Sequence, residues 1–277
     1  MRVAVLSGKG GTGKTFVSVN LAAVAENTAY IDCDAEEPNG HLFFKPQQVT
    51  ETKVSTMVPV FDPVTCDGCR RCVDFCRFNA LAFLQGKPKV FPDVCHACGG
   101  CALVCPRGAV TEEPREIGTV SQGISDGIPV ISGILNTGEA SAVPVIRAAL
   151  RAGDNENVVI DSPPGSSCAV MEAVSDADYC LLVAEPTAFG FHNFQMVHKL
   201  VSLLHKPFGV VVNKADGIYP PLEEFCSAHH TPILLRILYN PKIAAIGARG
   251  DIAVRQNPVF SQLFQSLWAD IRPEVDA

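Results

Sequence analysis

A glycine-rich stretch near the start of the 277-residue chain constrains the fold more than any other feature. Residues 2–7 are apolar and predict a buried strand, and residues 16–25 predict an apolar helix, so the glycines stand at a strand-to-helix turn. Glycines let the backbone curl so that several N–H groups converge on a phosphate at the helix N-terminus. The stretch fits the phosphate-binding pattern G-x-x-x-x-G-K-[ST] in full, and the predicted nucleotide site consists of Gly8, Lys9, Gly10, Gly11, Thr12, Gly13, Lys14 and Thr15.

Two side chains of this stretch have specific chemical roles in such a site. Lys14 is expected to neutralise the β- and γ-phosphates, and the Thr15 hydroxyl is expected to bind Mg²⁺. The alternative is an ordinary glycine-rich turn with solvated lysines.

Two further strands are expected to bring carboxylates to the same edge of the sheet. Residues 28–32 predict a buried strand with Asp34 just beyond it, and residues 157–161 predict another that ends at Asp161. We expect Asp161 to hold the Mg²⁺ shell through water, and the N–H of Gly165 to reach the γ-phosphate. For Asp34, a helix N-cap or turn position is the alternative.

The strand-helix alternation predicts a doubly wound α/β domain with a mainly parallel sheet. The stretch from Lys9 to Thr15 and the segment Asp161-Ser-Pro-Pro-Gly165 resemble the deviant phosphate loop and the D-x-P-P-G segment of the MinD/Mrp family of P-loop ATPases. The resemblance implies slow hydrolysis of ATP with Mg²⁺ and a nucleotide-sandwich dimer, either a homodimer or a heterodimer with a related ATPase. It also implies that Lys9 acts across the dimer and that Asp34 orients the attacking water, so the expected catalytic residues are Lys9, Lys14 and Asp34.

A fourth segment bears on the choice of nucleotide. Residues 208–212 predict a strand that continues into Asn213-Lys-Ala-Asp216, which fits the N-K-x-D code by which GTPases recognise guanine. Members of the MinD/Mrp family often have a similar segment while using ATP. We therefore expect Asn213 to face the base edge of ATP, and a GTPase switch is the alternative.

Eight of the twelve cysteines form two copies of one motif, 29 residues apart. The spacing C-x₂-C-x₂-C-x₃-C resembles that of bacterial two-cluster ferredoxins, in which the fourth cysteine of each motif binds the other cluster. The resemblance implies two [4Fe–4S] clusters, one held by Cys66, Cys69, Cys72 and Cys105, and the other by Cys95, Cys98, Cys101 and Cys76. Zinc is the alternative, because paired C-x-x-C motifs also form zinc sites.

The motifs divide the chain into three expected segments: ATPase residues 1–58, an inserted ferredoxin-like domain at 59–114, and ATPase residues 115–277. The net charge of −7 without a clustered basic face argues against nucleic acid as a partner. The sequence has no apolar run long enough to cross a bilayer, and a strand begins at once, which leaves no room for a signal peptide. We therefore expect a cytoplasmic protein with no membrane partner.

These features leave two classes of function open. In the first, ATP hydrolysis is coupled to electron transfer, or to assembly of a metal cofactor or iron–sulfur cluster on an acceptor protein. In the second, a non-catalytic iron–sulfur carrier or scaffold uses nucleotide as a conformational ligand. Cys168 lies seven residues after Asp161, where the related nitrogenase iron protein has a cluster ligand, so it is expected to be either a metal or transfer site or a small buried residue.

Overall fold

A nine-stranded sheet forms the centre of the molecule in a computed structural model, which describes residues 1–276. Two further strands, β4 and β5, form a small separate sheet. In chain order the strands are β1 (Arg2–Leu6), β2 (Thr28–Asp32), β3 (Gln47–Phe61), β4 (Leu81–Leu84), β5 (Lys87–Val90), β6 (Val110–Ser125), β7 (Ile128–Leu135), β8 (Asn157–Asp161), β9 (Tyr179–Ala184), β10 (Phe208–Ala215) and β11 (Ile233–Leu238). The helices are α1 (Lys14–Val24), α2 (Gly40–Phe44), α3 (Arg71–Phe75), α4 (Gly100–Leu103), α5 (Val143–Ala152), α6 (Cys168–Val174), α7 (Ala188–Leu203), α8 (Pro220–Ala228), α9 (Pro241–Ala248), α10 (Ala253–Gln256) and α11 (Pro258–Asp276).

The order of strands in the large sheet is β11-β10-β9-β1-β8-β2-β7-β6-β3. The first seven of these run parallel to one another. At one edge, β6 pairs antiparallel with β7, and β3 pairs antiparallel with β6. Every residue of β2, β8 and β9 is buried, as expected for parallel strands with helices on both faces. The predicted mainly parallel α/β sheet is therefore confirmed.

Two hydrophobic cores lie on opposite faces of the sheet. Alternate residues of β1 divide between them: Ala4 and Leu6 pack with residues of α5–α8, whereas Val3 and Val5 pack with residues of α1, α10 and α11. Trp268, on the terminal helix, is 8% exposed and belongs to the second core. None of the helices within residues 1–276 combines the length and the apolar character that a bilayer-spanning helix needs.

A long two-stranded arm, formed by β3 and β6, extends from the edge of the sheet. Its register runs from Gln47 opposite Ile124 to Phe61 opposite Val110. Residues 62–109, here called the cysteine module, lie at the far end of this arm and include the small sheet of β4 and β5. The segment boundaries expected after residues 58 and 114 fall inside the two strands of the arm. The module is thus joined to the large sheet by continuous hydrogen-bonded strands.

The backbone of the cysteine module repeats itself with the same 29-residue offset as its sequence. Three pairs of equivalent positions adopt positive φ angles, and they are Gly68 and Ala97 (76° and 50°), Arg70 and Gly99 (65° and 71°), and Asn79 and Gly108 (55° and 61°). Arg70 directly precedes the short helix α3, and the equivalent Gly99 directly precedes the short helix α4. The sequence repeat is therefore also a repeat of backbone conformation.

Candidate functional site

The glycine-rich stretch forms the turn between β1 and α1, as its sequence predicts. Gly13 has a φ of 92°, and a Cβ atom there would lie 2.1 Å from the side-chain nitrogen of Asn213. A Cβ atom on Gly8 would lie 2.1 Å from the backbone oxygen of Asn193. Both positions therefore require glycine, because any larger residue would displace the loop. The loop lines a cleft of about 850 Å³, which Thr15 and Asp34 also line.

Lys14 is held by two carboxylates at this cleft. Its Nζ donates a hydrogen bond to Asp161 and lies 3.6 Å from Asp34 Oδ2. Lys14 is 6% exposed and Asp161 is fully buried. Burial acts to lower the pKa of Lys14, but Asp161, Asp34 and Asp32 outweigh it, so the pKa is raised. Lys14 therefore stays charged, and an incoming phosphate would replace carboxylates that already neutralise it.

The segment after β2 is organised by a carboxylate that the sequence analysis did not single out. Asp32 is fully buried and accepts hydrogen bonds from the backbone N–H groups of Asp34 (3.1 Å), Asn39 (2.9 Å) and Gly40 (2.8 Å). Its burial raises its pKa to about 7. Burial also raises the pKa of Asp34 to about 6, although Lys14 opposes this shift. Asp32 thus fixes the turn that presents Asp34 to the cleft.

Lys9 pairs with a carboxylate of its own chain. Its Nζ lies 2.8 Å from Glu185 Oε2 and 5.0 Å from the ring centroid of Phe189, which is 65% exposed. Lys214 Nζ donates to the Gly11 carbonyl at 2.7 Å and lies 3.8 Å from Glu185. Glu185, which follows β9, therefore neutralises two lysines at the loop, a role that no sequence motif indicates.

Two expected ligand contacts are occupied by the protein itself in this conformation. The side-chain N–H of Asn213, a residue expected to face a base, donates to the Thr12 carbonyl at 2.7 Å, and Asn213 is 6% exposed. The N–H of Gly165, expected to reach a γ-phosphate, donates to the Ser7 carbonyl at 2.9 Å. The Asn213 contact stabilises the phosphate loop, and the Gly165 contact stabilises the residue between β1 and that loop, because polar backbone groups need partners.

The eight motif cysteines line two separate hollows in the cysteine module. The first hollow is lined by Cys66, Cys69, Cys72 and Cys105, and the second hollow by Cys76, Cys95, Cys98 and Cys101. Each hollow thus brings three cysteines of one motif together with the fourth of the other. Among the side chains of residues 1–271, no three His, Cys, Asp or Glu are arranged to hold a single metal ion.

The donor set of each hollow fits an iron–sulfur cluster. Four unpaired thiols surround each hollow, and thiolates are the ligands that hold [4Fe–4S] clusters. The N–H of Ala109 donates to Cys105 Sγ at 3.3 Å, and such N–H···S bonds tune cluster potential. The residues present therefore suit two such clusters.

The remaining cysteines lie outside the module, in the part of the chain that forms the large sheet and its helices. Cys33, Cys180 and Cys226 are buried in the core, and burial raises the pKa of the Cys180 thiol to about 12. Cys168, by contrast, is exposed at the first residue of α6. The expectation of a small buried residue at position 168 is therefore wrong, because the first turn of α6 leaves this side chain open to solvent.

A chain of contacts runs from the cleft to the cysteine module. The N–H of Leu135, at the end of β7, donates to the carbonyl of Ala35, next to Asp34. Beyond β7, both carboxylate oxygens of Glu139 accept from Arg115 at 2.8 Å. Arg115 also donates to Asp93 at 2.8 Å, two residues before a cysteine of the second hollow. Arg115 thus links the segment after β7 to the module through ion pairs.

Comparison with known proteins agrees with this geometry. An uncharacterised protein of Methanocaldococcus jannaschii, MJ0578, is 31% identical over 222 residues, which cover 77% of this chain and 78% of that protein. The ferredoxin-type protein NapF of Escherichia coli is 42% identical over 50 residues, 16% of this chain and 30% of NapF. The crystal structure of the cell division ATPase MinD of Pyrococcus furiosus has a similar fold, with a TM-score of 0.60, 18% identity and 98% coverage of both chains. Residues 3–254 match the CobQ/CobB/MinD/ParA nucleotide binding domain, and the chain therefore belongs to this family.

Proposed function

We propose that this protein binds and hydrolyses MgATP and uses its nucleotide state to control electron transfer through two [4Fe–4S] clusters to a partner protein. One observation carries the proposal: two sets of four cysteines line two hollows in a module that is continuous with the sheet of the phosphate loop. Hydrolysis of ATP does not require eight such cysteines, and electron transfer by a ferredoxin does not require a phosphate loop.

The nucleotide chemistry follows from the residues at the cleft. The loop N–H groups and Lys14 would bind the phosphates, and the carboxylate of Asp34 would orient the attacking water. Mg²⁺, when bound, would be held by Thr15 and, through water, by Asp161, and would neutralise phosphate charge. Lys14 is paired with Asp161 and Asp34 before nucleotide arrives, so ATP binding changes the partner of both carboxylates at once. This exchange is the proposed nucleotide switch.

A dimer is proposed for the nucleotide-bound state. Lys9 is 23% exposed at the rim of the cleft, and its partner Glu185 is 19% exposed, so the ion pair can exchange at modest cost. In a sandwich of two such chains, identical or related, Lys9 would leave Glu185 and reach the nucleotide of the partner subunit.

Anaerobic purification with metal analysis tests the proposal directly. About eight irons and as many sulfides per chain are expected, as two [4Fe–4S] clusters require. Electron paramagnetic resonance of the reduced protein should then differ with and without MgATP. Zinc in place of iron, or no affinity for any nucleoside triphosphate, would refute the proposal. Release of iron to an acceptor, without electron transfer, would indicate a carrier or scaffold instead.

The pH dependence of ATP hydrolysis should report on Asp34. The raised pKa of this carboxyl, about 6, leaves it charged at pH 7.5 and increasingly protonated below pH 6. A protonated Asp34 carries no charge and is a weaker hydrogen-bond acceptor, so it no longer polarises the attacking water, and kcat/KM should fall about tenfold per unit below that pH. Steady-state rates between pH 5 and 8 measure this, with iron counted at each pH. If the residual activity of Asp34→Asn declined in the same way below pH 6, the decline would come from another group.

Arg115 should couple nucleotide state to the clusters. Replacing Arg115 with glutamine removes its charge, so Glu139 and Asp93 would lose their common partner while the arm strands remain paired. We expect the MgATP-dependent change in the resonance spectrum to shrink by more than half, with hydrolysis and iron content retained. Arg236→Gln, which breaks an exposed ion pair with Glu223, is the matched control. An undiminished spectral response in Arg115→Gln would exclude this route.

A further inference from the structure

The charges of the cysteine module are distributed unevenly between its two hollows. Residues 62–109 contain six basic and four acidic side chains, within a chain of net charge −7. Of the six basic residues, four lie around the first hollow: Arg70, Arg71, Lys87 and Arg107. The lining of the second hollow contains no lysine or arginine, and its charged residue is Glu112. The first hollow therefore has a basic rim.

Lys87 anchors one side of this rim. Its Nζ donates to the carbonyl of Cys66 and, at 3.2 Å, to that of Pro63. The residue after Pro63, Val64, is 90% exposed, so the segment that Lys87 contacts also presents an apolar side chain to solvent. Protein-binding surfaces combine apolar and polar side chains.

The arginines of the rim keep their charge available to solvent. Arg107 Nε lies 3.4 Å from Asp67 Oδ2, and its side chain is 60% exposed. Arg70 lies over the ring of Phe83, 4.9 Å from its centroid, which orients the guanidinium without neutralising it. Arg71 is exposed at the start of α3. Asp67 is thus the one carboxylate in the lining of this hollow.

Three charged groups near the second hollow are paired with one another. Near it, Arg115 is shared by Asp93 and Glu139, which connects this end of the module to the ATPase part. Among the residues that the structure describes, the ion pair at the first hollow, Arg107 with Asp67, stays within the module. Arg70 and Arg71 are exposed to solvent, where another molecule can meet them. The two ends of the module are thus electrostatically different.

We infer that the basic rim of the first hollow is the docking surface for a small electron carrier protein with an acidic face; this inference rests on the proposed iron–sulfur function. In the docked complex one electron would pass from the reduced carrier to an oxidised cluster held by Cys66, Cys69, Cys72 and Cys105, with no bond formed and no proton moved. The carrier is chosen by charge, because opposite charges steer encounter and align the two surfaces.

Binding of oxidised carriers to the oxidised holoprotein, without nucleotide, tests this inference. The probes are an acidic plant-type [2Fe–2S] ferredoxin and a basic c-type cytochrome, titrated by thermophoresis from 20 mM to 500 mM salt. The rim variant is Arg71→Glu with Arg107→Glu. The matched control, Arg77→Glu with Lys89→Glu, reverses two exposed charges that line neither hollow. A charge-conserving variant, Arg71→Lys with Arg107→Lys, separates charge from shape.

The acidic carrier should bind the wild-type holoprotein more tightly than the basic one, with affinity falling steeply as salt rises. The rim variant should weaken it about tenfold or more and flatten the salt dependence, while the control changes affinity less than about twofold. Lysine substitutions should keep the affinity. Equal losses in the rim and control variants, or affinity that does not depend on salt, would overturn the inference. Iron counts on every variant separate this from failure of the proposed function, since a wild-type protein without iron would refute that function instead.

Discussion

Replacing Cys76 with alanine is expected to remove the cluster of the second hollow, although Cys76 belongs to the first motif. The reason is geometric: Cys76 lines a hollow with Cys95, Cys98 and Cys101. A cluster that loses one of four thiolates becomes labile, so the iron content should fall from about eight to about four per chain. Iron analysis and electron paramagnetic resonance after anaerobic purification measure this loss.

The comparison among cysteine variants makes this prediction specific. Cys95→Ala should remove the same spectral component as Cys76→Ala, and Cys66→Ala the same component as Cys105→Ala. Cys226→Ala, at a buried core position, is the matched control and should retain all the iron. If Cys76→Ala and Cys66→Ala removed the same component, each motif would hold its own cluster and the exchange of fourth ligands would be refuted.

Replacing Lys14 with methionine is expected to reduce kcat for ATP hydrolysis about 10²–10³-fold, since a preorganised donor to the phosphates is lost. The same change leaves Asp161 buried without its cation, which should lower the free energy of unfolding of the nucleotide-free protein by about 3–5 kcal/mol. Hydrolysis rates and urea denaturation measure the two effects. Lys199→Met, at an exposed position of α7, should change neither.

A double variant separates the two consequences of losing Lys14. In Lys14→Met with Asp161→Asn, position 161 no longer carries a buried charge, and Tyr30 can still donate to the remaining side-chain oxygen. We expect most of the lost stability to return while hydrolysis stays low. If stability did not return, the loss in the single variant would come from packing and not from the unpaired carboxylate. If hydrolysis persisted at the wild-type level in Lys14→Met, Lys14 would not be the phosphate-binding lysine.

Much of the fold could be predicted from the sequence because its signals are local. The bounds of β2 and β8 agree with their apolar runs at 28–32 and 157–161. A strand of the arm, β3, was missed. Its first seven residues, 47–53, are all exposed, so burial imposes no alternation of apolar and polar residues there. Its strand conformation comes from pairing with β6, a partner more than 60 residues away at its start.

The spacing of residues in the chain determined which chemistry each motif can support. It assigned the phosphate loop and the cysteine repeat, because a strand-to-helix turn and a closely spaced set of thiols are both built from neighbouring residues. Tertiary structure alone decided which groups meet. It pairs Lys9 with Glu185, holds Asn213 on the phosphate loop, and joins the module to the segment after β7 through Arg115. These contacts join residues 22 to 201 positions apart, and their distances depend on how the sheet and the arm are assembled.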